Sequence, residues 1–325
     1  MSMSRVSVPR VSVPRVSVPR VSMSGGPPNF VIMGAMKCAT TTLHDQLSLQ
    51  PGVFMTTLKE PLFFSDDDVY ARGLDWYLSL FAAAAPDDIC GESSTHYTKL
   101  PTYPQSRQRL QQHTPDVKLI YVMRDPIERL VSQYVHEWSQ RAISGSLTQA
   151  IKRHPELYQY SQYSMQLRPY LEAFGPGCVL PVFFERIKQD PQAELARVGE
   201  FIGMKQPAVW QTETAHSHSS RDRLRKSPVR DAIVNAPLLR DIRQNLVPKS
   251  VRQGVRGLWQ MQERPKLSES DRAWLSAKID PDLALLGEWL GLELSCQNFS
   301  STVAQSPCPE WVSETCPGIK QMKAV

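Results

Sequence analysis

Three short apolar runs stand out along the chain: "FVIM" at 30–33, "VKLIYVM" at 117–123 and "CVLPVFF" at 178–184. Each is rich in β-branched or aromatic residues and bounded by Gly, Pro or charge, the texture of a strand buried on both faces. Between and after them, apolar positions recur at helical spacing near 41–50, 103–113, 126–142, 160–174 and 191–202. Such an alternation predicts an α/β fold, a single domain with a central parallel sheet flanked by helices. Farther on, tryptophans near 259, 274 and 289 mark stretches that read as packing helices, and the chain after Cys296 reads as irregular.

The opening segment has a different texture. It repeats RVSVP with a period of five, and a proline in every repeat forbids a continuous helix. Residues 1–26 are therefore expected to be a disordered leader, followed by one globular domain over 27–295 and a tail over 296–325. The leader lacks the unbroken apolar stretch of a secretory signal. Its Arg and Ser, with no acid before Asp45, leave an organelle or plastid transit peptide as the alternative.

Composition narrows the function classes. The chain of 325 residues can bury a substantial core, and no run approaches the roughly 20 apolar residues that span a bilayer. A net charge of +5 is too mild to identify a polyanionic partner, and no nucleic acid is expected. Residues 221–256 nevertheless hold ten Lys or Arg against three Asp, either a solvated surface or an anion-binding face. The six cysteines are scattered without CxxC spacing, and His216 and His218 stand isolated, so no metal site is expected. A reducing cytoplasm is the simpler expectation. In an oxidising organelle lumen Cys308 and Cys316 could pair.

The chemistry is concentrated in two stretches. In "NFVIMGAMKCATTTLHDQL" (29–47) a strand ends at Gly34 and a helix begins near Thr41, so loop N–H groups and a helix N-terminus converge on one point. Lys37 adds a charge there, and Thr40, Thr41 and Thr42 add hydroxyls. The turn looks like a phosphate-binding loop but lacks the second glycine and the GK[ST] ending with which an ATPase seats magnesium. Alone, it could also be a surface lysine in a capped turn. In "LIYVMRDPIERLVSQYVHEW" a second strand ends in Arg124, Pro126 takes a first helical position, and Ser132 lies two turns into the helix. Arg124 and Ser132 could grip another phosphate, because ligands of open α/β sheets bind at the strands' carboxyl ends. The plainer alternative is an Asp125–Arg129 helix pair.

Together, in this order and about ninety residues apart, the stretches resemble the sulfotransferases that use 3′-phosphoadenosine 5′-phosphosulfate (PAPS). "GAMKCATTTL" is similar to their 5′-phosphosulfate loop and "RDPIERLVSQY" to their 3′-phosphate motif. "LKEPLFF", "GLDWYLSLF", "GESSTHY" and "FFERIKQDPQAELARVGEFIGM" extend the likeness over roughly 29–205, closer to the heparan-sulfate type and bacterial relatives than to the phenol and steroid enzymes. The resemblance implies a sulfuryl transfer from PAPS, without metal, to a hydroxyl or amine, with a carbohydrate as the expected acceptor. Oligomeric state is left open. The alternatives are a P-loop-like nucleotide kinase and an inactive PAPS- or glycan-binding module.

By position, the resemblance assigns Lys37, Cys38, Ala39, Thr40, Thr41 and Thr42 to the 5′-phosphosulfate, with Lys37 also meeting charge on the bridging oxygen. It assigns Arg124 and Ser132 to the 3′-phosphate, Tyr163 to a further cofactor contact, and Arg221 and Arg223 to a late basic loop. Ala39 replaces a usual glycine, so a negative φ is expected there. Glu60 falls where the heparan-sulfate-type enzymes carry their catalytic base, with Lys59 beside it to favour the carboxylate. His96 is the rival base, by a fainter likeness to the cytosolic enzymes. The lysine that the heparan-sulfate type carries after the glutamate of "GES" is Ser93 here.

Overall fold

The structure, a computed structural model, describes residues 26–212, 264–312 and 315–318. Its centre is a five-stranded, wholly parallel sheet in the order β2-β3-β1-β4-β5. The strands are β1 (Phe30–Gly34), β2 (Val53–Met55), β3 (Ile89–Ser93), β4 (Lys118–Met123) and β5 (Val179–Phe183). All five residues of β1 are buried, which requires cover on both faces of the sheet. The cover comes from α1 (Thr40–Ser48), α2 (Asp67–Tyr70), α3 (Leu74–Ser79), α4 (Ser106–His113), α5 (Pro126–Ser139), α6 (Leu147–Arg153), α7 (Glu156–Gln159), α8 (Tyr163–Phe174), α9 (Phe184–Gln189) and α10 (Pro191–Ile202). Beyond residue 263 follow α11 (Glu269–Leu290) and α12 (Phe299–Gln305).

The three apolar runs are β1, β4 and β5, whereas β2 and β3 have no counterpart among the expected strands. β2 has three residues, too few to show a period. β3 reads "ICGES", yet its last four residues are buried. Polar side chains survive there because they are bonded. Glu92 accepts hydrogen bonds from Tyr77 Oη (3.0 Å), Tyr97 Oη (2.7 Å) and Ser94 Oγ (2.8 Å). Gly91 gives the Phe30 ring its space, since a Cβ there would lie 2.2 Å from it.

Two further expectations change. The chain after Cys296 is not simply irregular: α12 buries Phe299 and Val303, and Trp311 donates to the Val179 carbonyl at 2.6 Å. Asp125 and Arg129 do not form a helix pair. Asp125 caps α5 by accepting from Glu128 N (2.9 Å), and the fully buried Arg129 donates to Ser161 Oγ, Gln133 Oε1 and the Leu157 carbonyl. Trp274 and Trp289 both lie in α11, and Trp259 and residues 1–25 of the expected 1–26 leader lie outside the described residues. The six cysteines are free thiols. No helix among the described residues is long and apolar enough to cross a membrane.

Topology fixes where a ligand can bind. From β1 the chain leaves through α1 toward β2 and β3 on one side, and from β4 it leaves toward β5 on the other. The crevice between the carboxyl ends of β1 and β4 is thus the switch point of the sheet. The loops after these two strands carry Lys37 and Arg124.

Candidate active site

The loop after β1 is shaped by its first residue. Gly34 lies against β4, where an added Cβ would stand 2.1 Å from Thr98 Oγ1 and 2.8 Å from the Tyr121 ring. Thr98 Oγ1 donates to the Met33 carbonyl at 2.7 Å, and Ala35 N donates to the Val122 carbonyl at 2.7 Å, so the strand end is braced from both sides. Lys37 (φ 72) and Ala39 (φ 66) are both left-handed, with Cys38 between them. Alternating handedness of this kind turns successive N–H groups toward one concave face, an anion-binding arrangement. The negative φ expected at Ala39 is therefore overturned. The curvature of the loop outweighs the steric cost of one methyl group.

Ala39 is also the N-cap of α1, and no side chain caps that end. The first N–H groups of Thr40, Thr41 and Thr42 lack intrahelical acceptors and present the positive end of the helix to the loop. Thr40 is buried and Thr41 and Thr42 are half-buried. The Cys38 side chain turns inward, and burial pushes its thiol up to about 12, so only its backbone belongs to the loop surface. These features fit a phosphate or sulfonate group.

Arg124 joins the second loop to the first. Its Nη1 donates to the Lys37 carbonyl at 3.5 Å, Nη2 meets Glu128 Oε2 at 3.4 Å, and its guanidinium carbon stands 4.7 Å from the Phe184 ring centroid. Arg264 also pairs with Glu128, at 2.5 Å, bringing another cation to this edge. Ser132 is buried two turns into α5. Tyr163 is fully buried and donates to the Arg124 carbonyl at 2.6 Å while accepting from Arg124 N at 3.3 Å. Its hydroxyl holds the Arg124 backbone. Arg221, Arg223, His216 and His218 lie outside the described residues.

The loop after β2 brings the acid. Glu60 adopts φ 57, and its carboxylate accepts from Thr95 N (2.8 Å) and Thr95 Oγ1 (3.2 Å) at the start of a 3₁₀ turn, Thr95–Thr98. Glu60 N donates to the Ser93 carbonyl at 3.0 Å, and Leu62 N to Ser94 Oγ at 3.2 Å, so the loop is stitched to the end of β3. Lys59 Nζ donates to Thr41 Oγ1 in the first turn of α1. Burial holds the Lys59 ammonium below the usual lysine range, while the charges of Glu60 and Asp45 pull it back up.

His96 follows Thr95 in the same 3₁₀ turn. Its ring stacks on Tyr103 with centroids 4.7 Å apart, and Nδ1 is buried without a partner. Burial lowers its pKa to about 4, with the charge of Lys99 acting in the same sense and Asp66 opposing, so the ring is neutral. Ser93 is buried and lies 2.8 Å from His44 Nδ1. Desolvation brings His44 down to about 4, helped by the charge of Lys59.

Sequence reasoning missed His44, Glu92, Lys99 and Glu128. Only the "GESSTHYTK" run carried a hint, since it places seven polar side chains and a tyrosine around a strand end. Among the described residues no cluster of three or more His, Cys, Asp or Glu could hold a metal ion.

Comparison of the chain with known proteins points to one family. The model of the sulfotransferase domain covers residues 27–282. The mouse heparan sulfate glucosamine 3-O-sulfotransferase 3B1 is 33% identical over 190 residues, covering 55% of this chain and 46% of that protein. The human bifunctional heparan sulfate N-deacetylase/N-sulfotransferase 2 is 28% identical over 198 residues, covering 54% of this chain and 22% of that protein. The chain thus spans about half the length, or less, of the curated relatives it matches. A crystal structure of a sulfotransferase from Alicyclobacillus acidocaldarius shares the fold at a TM-score of 0.57 and 23% identity, covering 83% of this chain and 98% of that one.

Proposed function

The chain belongs to the sulfotransferase domain family, and from that premise we propose that it transfers a sulfuryl group from PAPS to a hydroxyl or amine of a carbohydrate or similar small acceptor. The observation that carries the reading is the joining of three loops in one crevice. Arg124 touches the Lys37 carbonyl, Lys59 touches Thr41, and Glu60 follows Lys59 directly.

PAPS supplies an activated sulfuryl group whose leaving group is a phosphate. The left-handed turn over Lys37 and Ala39 and the open end of α1 suit the 5′-phosphosulfate, and Lys37 neutralises charge that grows there as the bond to sulfur breaks. Arg124, held by Tyr163 and stacked on Phe184, suits the 3′-phosphate. Glu60, kept in place by Thr95, takes the acceptor's proton. The heparan sulfate relatives support a carbohydrate acceptor. Where the heparan-sulfate-type enzymes carry a lysine, Ser93 is instead committed to His44, so recognition of their polysaccharide is not carried over.

The test is transfer of label from PAPS to a panel of glycans, phenols and alcohols, with thermal stability followed in parallel. The spent cofactor, 3′-phosphoadenosine 5′-phosphate (PAP), should stabilise the protein without added magnesium. Stabilisation by ATP with magnesium and not by PAP would replace this reading with the kinase one.

A further inference from the structure

Ser93 is a fixed point of the sheet. It closes β3, pairs with Ile32 of β1, and is followed by Ser94, whose N donates to the Ile32 carbonyl at 3.1 Å. Two further bonds leave this residue. Its carbonyl accepts from Glu60 N at 3.0 Å, and its hydroxyl lies 2.8 Å from Nδ1 of His44, in the middle of α1. The candidate base and the helix behind the anion-binding loop thus take their positions from one residue.

One turn before His44, α1 is tied to the base-bearing loop again, where Lys59 Nζ donates to Thr41 Oγ1. Its later turns are held elsewhere: Gln46 exchanges hydrogen bonds with the backbone of Gln211 at 2.7 and 2.8 Å, and Gln50 with that of Val209 at 2.8 and 3.0 Å. Among the described residues, Thr41 and His44 are therefore the side chains of α1 whose hydrogen bonds reach the loop and the strand end that carry Glu60.

The His44–Ser93 pair is buried, at 7% and 0% exposure. Apolar packing has no direction and tolerates a small slip, whereas a hydrogen bond between two buried groups admits one placement and leaves both unsatisfied in any other. A leucine in α1 would avoid the cost of burying an imidazole. What the polar pair adds is register. The ring is neutral, because burial and the charge of Lys59 lower its pKa to about 4, so it bonds the serine hydroxyl without placing a second cation beside Lys59.

We infer that His44 is a positioning residue, which through Ser93 fixes the anion-binding loop at the separation from Glu60 that the transfer requires. The inference rests on the sulfuryl-transfer reading above, with Glu60 as the base. In this role His44 touches neither donor nor acceptor. Groups held by separate loops lose rate steeply when either one shifts, since a misplacement of about 1 Å costs roughly 100-fold.

The experiment is a double-mutant cycle on the full chain, run with labelled PAPS and the best acceptor of the panel above at saturation, with PAP affinity measured by calorimetry. Label transfer keeps even the slow Glu60→Gln variant readable. His44→Leu should lower saturated turnover roughly 10- to 100-fold while PAP affinity stays within about threefold. His44→Asn, whose amide stands where Nδ1 does and bonds the serine hydroxyl, should recover most of that rate. Ser93→Ala breaks the same bond from the other side and should match His44→Leu. In the Glu60→Gln background His44→Leu should cost less than about threefold, because the base is no longer there to be misplaced.

An equal loss in the two backgrounds would mean that His44 supports the fold in general and would overturn the inference. So would wild-type turnover in His44→Leu, or a loss of PAP affinity that parallels the loss of rate. If His44→Leu does not fold, Ser93→Ala carries the cycle with the same expected and overturning results. Transfer by wild type with an additive cycle would overturn the role of His44 alone, whereas a wild-type protein that transfers to no acceptor in the panel would overturn the sulfuryl-transfer reading as well.

Discussion

The ammonium of Lys59 donates to the hydroxyl of Thr41, so the residue before Glu60 is joined to the first turn of the helix that follows the anion loop. This contact ties the candidate base to the candidate anion loop. Glu60 cannot drift from the loop that the proposed reaction assigns to the sulfuryl donor without breaking it, and Thr95 N holds the carboxylate from the other side at 2.8 Å. Proximity is worth most when both partners are fixed before the substrate arrives.

Replacing the base should separate binding from chemistry. Glu60→Gln preserves shape and removes basicity, so PAP binding should survive while saturated turnover falls by about two to four powers of ten. His96→Phe keeps a ring stacked near Tyr103 and should retain most of the rate. Near-normal turnover in Glu60→Gln together with collapse in His96→Phe would move the base to His96.

Arg124 and Lys37 should fail in different ways. Arg124→Ala removes a grip on a part of the donor that does not react and should weaken PAP binding by about 2 kcal/mol, roughly 30-fold. Lys37→Ala should depress the maximal rate as well, because the charge it meets grows only in the transition state. Calorimetric titration with PAP and rates at saturating PAPS distinguish the two. Equal effects on both quantities in both variants would contradict this division.

Gly34 should tolerate no side chain. An added Cβ at 2.1 Å from Thr98 Oγ1 and 2.8 Å from the Tyr121 ring must displace a buried threonine that braces the strand end. Gly34→Ala is expected to cost about 3 kcal/mol or more in a denaturant melt. The double variant Gly34→Ala/Thr98→Ser should not recover that loss, because the hydroxyl remains in the way.

Glu92 should make stability fall with rising pH. It is fully buried, and burial raises its pKa to about 7 despite donors from Tyr97, Ser94 and Tyr77. The folded state therefore holds a proton that the unfolded chain releases at the ordinary carboxyl value. Its contribution is complete below about 4.5, is lost as pH rises through about 7, and amounts to about 3 kcal/mol. Glu92→Gln keeps an oxygen acceptor and cannot ionise. The stability difference between the two proteins, followed by denaturant melts from pH 4 to 8, should shift in favour of Glu92→Gln across that window; a constant difference would rule the effect out.

By itself the sequence determined the sheet's three central and edge strands with strong apolar runs, helices between and after them, and both candidate phosphate-binding turns. Those signals are local. A buried strand needs a run of apolar residues, and an anion loop needs a strand end, a helix start and small or hydroxylated residues between them. Only the tertiary structure decided the rest, because it depends on residues distant in sequence. β3 is a strand although its residues are polar, since Tyr77 and Tyr97 satisfy Glu92 and Phe30 fills the space over Gly91. Ala39 is left-handed because the turn demands it. Tyr163 serves the Arg124 backbone from 39 positions away. Ser93 meets His44 only in the fold, 49 positions away, for burial and the distance between groups are properties of the packed chain and of no segment within it.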